Sequence, residues 1–177
     1  MAEILSFLPI IVLLVASRLL PRRIALMVSL ASATATLVPW ALGGTAKQFS
    51  LVLASLIAVS FIWHLAHGAT AGRWSGLLLS AGIAFYAFAS IAAGHPFAED
   101  WAHERVPPAQ WSHPLTIHIV TTITAVWGGI YVVLALAAFP RERWVLPPRA
   151  RTALSLALVL GGIAFSSWYP AFAVGHR

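Results

Sequence analysis

The chain has 177 residues, of which 60% are hydrophobic and 9% charged, with a formal net charge of +6 and no cysteine. Soluble domains run at ~45–50% apolar and ~25% charged residues, so this composition excludes an ordinary water-soluble globule. The missing cysteines remove disulfides, thiolate metal sites and thiol catalysis together.

Cutting the chain at its polar and turn-rich points leaves six apolar stretches, approximately 4–20, 24–43, 49–70, 75–94, 115–139 and 152–174. Each approaches the ~20 residues with which a helix crosses the hydrocarbon of a bilayer. The reading is an all-α polytopic transmembrane helix bundle, a single integral membrane domain over 1–177. It has six spans, or five if residues 4–20 lie in the interface. Met1-Ala2-Glu3 precedes the first stretch, and Arg18, Arg22 and Arg23 follow it. A signal peptide carries its positive charge ahead of its apolar core, so this order predicts an uncleaved span.

The basic residues alternate along the chain. The first, third and fifth connections hold eight: Arg18, Arg22, Arg23, Arg73, Arg141, Arg143, Arg149 and Arg151. The termini and the other two connections hold only Lys47, Arg105 and Arg177. Short loops rich in Lys and Arg stay in the cytoplasm, which places both termini outside. In a soluble protein this charge would suggest nucleic acid. Beside membrane spans, Arg22, Arg23, Arg141, Arg143, Arg149 and Arg151 are expected to meet anionic lipid headgroups of the cytoplasmic leaflet instead.

Small residues mark faces for close helix packing in lipid. These are Ser29, Ser32, Ala33 and Thr36 in the second stretch and Gly76, Ser80 and Ala84 in the fourth. The fifth holds Gly128-Gly129 and the sixth Gly161-Gly162. Trp40, Trp101, Trp111 and Trp168 lie toward one boundary of the spans, and Trp74 and Trp144 toward the other, as in an aromatic belt. Trp63 and Trp127 fall deeper and read as packing residues.

Two places could carry chemistry. His64 and His67, three apart on one helix turn, could reach a common metal, haem or polar partner. No acid or further histidine is predicted at their depth, and the plainer reading is a pair bonded to water, headgroups or carbonyls. The other place is the outer connection 95–114, which holds three of the five acidic residues and three of the seven histidines. Pro96, with Glu99 and Asp100 just behind it, predicts a short helix over 96–105 that Pro107-Pro108 ends. An extended stretch should then lead back into the membrane at Pro114. Phe97 and Trp101 would share one face and anchor this helix in the membrane interface. Glu99, Asp100, His103 and Glu104 would form the protein's most concentrated polar surface, a partner-docking site. Asp100, His103 and Glu104 with His95 or His113 could ligand a divalent ion, but their spacing matches no dedicated motif.

Gly94-His95-Pro96-Phe97, Trp101-Ala102-His103-Glu104-Arg105-Val106-Pro107-Pro108, Trp111, Pro114 and Thr124-Ala125-Val126-Trp127-Gly128 form an ordered series. With the opening Leu5-Ser6-Phe7-Leu8-Pro9-Ile10-Ile11-Val12, this series resembles small bacterial membrane proteins of the intracellular septation protein A type. The resemblance covers about half of the chain, which departs from the pattern in its histidines and its short N-terminal half. It implies an inner-membrane protein tied to cell-envelope integrity and septation, and it brings no catalytic residues.

Three function classes follow. The first is a non-enzymatic membrane protein acting through helix, lipid or partner-protein contacts, such as an accessory subunit, with no cofactor. The second is a haem- or metal-binding subunit using histidines. The third is a small-solute transporter, disfavoured because no Asp, Glu, Lys or Arg lies deep in a span. An enzyme acting on lipid is poorer still, since nothing pairs a nucleophile with a positioned base.

Overall fold

The computed structural model describes residues 12, 15–16, 19–35, 48–139 and 147–175, with 22, 69–73 and 148 as backbone alone. All regular structure among them is helical. The long elements are α1 (Arg22–Ala35), α2 (Gln48–Gly68), α3 (Trp74–Ala92), α5 (Pro114–Ala138) and α6 (Pro148–Gly175), and a single turn, α4 (Glu99–Ala102), lies between α3 and α5. Four of these, α2, α3, α5 and α6, are long and apolar enough to cross a membrane. The described part of α1 is 14 residues long and ends where the described residues do, at Ala35. The expected first span, 4–20, lies outside the described residues apart from Val12, Val15, Ala16, Leu19 and Leu20, as do Trp40 and Trp144.

The described residues fall into two compact units: those up to Ile83 with Ala138 and Phe139, and those from Ala84 to Ala137 and from 147 onward. In the first unit, α1 buries Ala25, Ser29 and Ala33, a small-residue face at four-residue spacing. α2 buries Phe49, Leu53, Ile57 and Ser60 along one stripe. Helical segments run almost without a break from Gln48 to Ala92, interrupted at Gly68 with φ 57° and ψ −137°. That combination is open essentially to glycine alone. A methyl group on Gly82 would lie 2.6 Å from Leu56 Cδ2. Leu56 and Gly82 stand nearly equally far from Gly68 along the chain, so the chain reverses there and the part of α3 up to Ile83 returns along α2.

In the second unit, α5 buries Val120, Thr124, Trp127, Tyr131 and Ala135 at spacings of three and four, the period of one helix face. Trp127 donates from Nε1 to Ser166 Oγ at 2.9 Å, and the Ser166 hydroxyl donates to the Gly162 carbonyl at 2.8 Å. A Cβ on Gly162 would stand 2.9 Å from the Trp127 ring, and one on Gly128 2.9 Å from the Phe88 ring. Of the two tandem glycines, one member each is used for close approach. Gly129 and Gly161 have nothing within 4 Å of that position. Trp127 is the packing residue expected, whereas Trp63 is 41% exposed.

Serine hydroxyls within the helices return to carbonyls one turn back, as Ser29 does to Ala25 and Ser55 to Leu51. Polar side chains so paired can sit in an apolar setting at little cost. Large apolar side chains such as Phe85, Leu136 and Leu160 face outward on the long helices. α6 is the least enclosed, with 11% of its most apolar window buried against 33% for α2, α3 and α5.

Candidate functional site

The connection from α3 to α5 is fixed at its start by the end of α3. Gly94 adopts φ +79°, its N–H bonds the Ile91 carbonyl at 3.0 Å, and the His95 N–H bonds the Ser90 carbonyl at 3.0 Å. This pair of bonds closes the helix as a Schellman cap, which requires a left-handed residue where glycine stands. Pro96 follows and prevents the helix from continuing.

Two buried hydroxyls then seize the backbone. Ser90 Oγ donates to the Ala87 carbonyl and accepts the Phe97 N–H at 3.2 Å. Thr124, fully buried on α5, accepts the Ala98 N–H at 3.3 Å. Pro96, Phe97, Ala98 and Trp101 are buried as a result. Phe97 lies between Tyr86, at 6.2 Å between ring centres, and the edge of Trp101, at 5.6 Å.

This corrects three expectations. The α-helical part is the four residues Glu99–Ala102 rather than 96–105, with turns on either side, the Glu99 N–H bonding the Pro96 carbonyl and the Arg105 N–H the Ala102 carbonyl. Phe97 and Trp101 are 2% and 7% exposed, so they anchor the segment in the protein rather than in the membrane interface. The stretch after Pro107 is likewise not simply extended. Pro108–Gln110 form a 3-10 turn, with the Gln110 and Trp111 N–H groups bonding the Pro107 and Pro108 carbonyls. α5 begins at Pro114, where the missing N–H costs nothing.

The polar residues cluster on this frame. Glu99 stands between two imidazoles: Oε2 is 3.5 Å from His95 Nδ1, and Oε1 is 3.4 Å from His103 Nε2. His103 stacks on Trp111 with ring centres 3.9 Å apart, and Trp111 Nε1 donates to the Val106 carbonyl at 3.1 Å. Asp100 is half-buried, and Glu104 and Arg105 are exposed. His113 Nδ1 accepts the Leu115 N–H at 3.2 Å. Farther along, the Tyr169 hydroxyl and His118 Nε2 lie 3.3 Å apart, joining α6 to α5.

The α2 histidines are arranged differently. His67 is exposed, stacks on Trp63 at 4.1 Å and donates from Nδ1 to the Trp63 carbonyl at 3.2 Å. His64 is half-buried, and its buried Nδ1 has no hydrogen-bond partner among the described residues. No group of three or more His, Asp or Glu among the described residues is arranged to hold a metal ion.

Of the basic residues expected at lipid headgroups, Arg23 and Arg149 are exposed and Arg151 is half-buried. Arg141 and Arg143 lie outside the described residues, as does the side chain of Arg22. Ser90 and Thr124 were not anticipated, because their partners lie 7 and 26 residues away and no local pattern announces them. Comparison of the chain with protein-family models, curated proteins and solved structures returns no match.

Proposed function

We propose that this chain is a non-enzymatic, multi-pass protein of a bacterial inner membrane that works by holding a partner protein at the connection 95–113. The observation carrying this reading is that connection's construction. A buried aromatic pair and two buried hydroxyl bonds fix its backbone, while Glu99, Asp100, His103 and Glu104 remain wholly or partly accessible. A preorganised polar surface binds without paying the entropy of ordering a loop.

The eight-to-three division of basic residues supports an orientation with both termini, and this connection, outside. The same residues, Arg23, Arg149 and Arg151 among them, would meet anionic headgroups on the cytoplasmic side. A role in cell-envelope organisation draws on the resemblance to septation protein A-type proteins.

A reporter active only in the cytoplasm, fused after Arg177, is expected to stay silent. Gentle detergent extraction from native membranes should give an assembly larger than the chain. The double variant Glu104→Lys with Gln110→Lys, both exposed, should release the chain from it without lowering its thermal stability. An assembly that survives these substitutions but is lost on His64→Ala with His67→Ala would refute the reading and move the site to α2.

The buried Nδ1 of His64 favours one other reading, in which that imidazole ligates haem or a metal. Its signature is a Soret band or stoichiometric metal in the purified protein, lost on His64→Ala.

A further inference from the structure

We infer that the 95–113 connection is an acid-set clasp, in which protonated His95 and His103 close on Glu99 and hold the Val106–Trp111 arm against α4. The inference deepens the docking reading above, since it concerns how that surface keeps its shape.

The links form one chain of contacts. Glu99, on α4, is the hub, with each carboxylate oxygen within 3.5 Å of a different imidazole nitrogen. His103 passes the connection on through its stack with Trp111, and Trp111 closes it through the Val106 carbonyl. Only a protonated imidazole makes an ion pair with the carboxylate, and only a cation gains from the face of the indole beyond ordinary stacking. Protonating His103 therefore strengthens both of its contacts at once. Histidine is the side chain type that changes charge between about pH 5 and 8, so an acidifying exterior closes the clasp and a neutral one loosens it.

The other charged groups of the connection are Asp100, Glu104 and Arg105. Tyr86 of α3, packed on Phe97, is a phenol, a group that keeps its proton over the same interval. His113 opposes the effect. Its Nδ1 is an acceptor for the Leu115 N–H, and protonation there would loosen the start of α5 rather than tighten the arm.

The test is amide hydrogen exchange on the full chain in lipid nanodiscs, without partner, at about pH 5.5 and about pH 8. Protection factors, corrected for intrinsic rates, are read at Val106, Gln110 and Trp111, whose N–H groups bond within the segment. The wild type should show protection about 2–5-fold higher at the lower pH, the scale that exposed ion pairs support. Glu99→Gln and His103→Gln should be equally and weakly protected at both, with α5 amides unchanged as the check on folding. His113→Asn should retain the wild-type response. Equal protection of the wild type at both pH values, or a response that survives Glu99→Gln, would overturn the clasp. Either result leaves docking intact. Conversely, a normal pH response with no assembly in native membranes would remove docking and leave the clasp.

Discussion

Two regions of this protein are made of the same parts. Residues 63–68 and 94–113 each contain histidines, a histidine stacked on a tryptophan at about 4 Å, and a glycine with positive φ. Their outcomes differ. At Gly68 the helix breaks and reverses, His67 folds onto its own helix, and Trp63 stays exposed. At Gly94 the helix closes with a Schellman cap, and the following backbone is captured by Ser90 and Thr124. Only the second region has a carboxylate, Glu99, between its imidazoles. A histidine–aromatic pair is thus a decoration at one place and part of a fixed surface at the other. What separates them is whether buried groups hold the backbone beneath.

That contrast predicts unequal sensitivities. The largest effect should come from Phe97→Ala combined with Trp101→Ala. Emptying a buried aromatic site costs about 3–5 kcal/mol when its neighbours cannot collapse. The pair should strongly lower the unfolding temperature of the purified protein, whereas His67→Ala should change it little. Comparable losses for both would erase the distinction.

Thr124→Val comes next. It keeps shape but removes the acceptor for the Ala98 N–H, leaving a buried donor unpaired at a cost of about 1–3 kcal/mol. Exchange of the Ala98 amide should accelerate, while the α2–α3 reversal at Gly68 is unaffected.

The smallest effect should be His64→Leu, neutral or stabilising by up to about 1 kcal/mol. It removes a buried nitrogen that has no partner among the described residues. A clear destabilisation in a thermal melt would show that this imidazole is satisfied by a bound group, and would raise the ligand reading of α2.

The long helices were legible because their signal is local. Unbroken apolar runs placed α2, α3 and α5 within one or two residues of their observed ends, though α6 begins earlier, at Pro148, and continues through Pro170 to Gly175. Small residues marked where helices approach, but not which of two adjacent glycines is used. The phase of the helix decides that, and it selects Gly128 and Gly162. The connection was legible as a polar, proline-bounded segment and misread in its anchoring. Two aromatic residues four apart announce an apolar face without saying whether lipid or protein covers it. The answer lay in Thr124, 26 residues on from Ala98, and such non-local capture leaves no periodic trace.

The partner is expected on the fixed surface and not on the α2 turn. Photo-crosslinking side chains placed singly at Glu104, Gln110, Trp63 and His67, all exposed, test it in living cells. A discrete protein adduct is expected from Glu104 and Gln110 and none from Trp63 and His67. Adducts confined to Trp63 and His67 would contradict it.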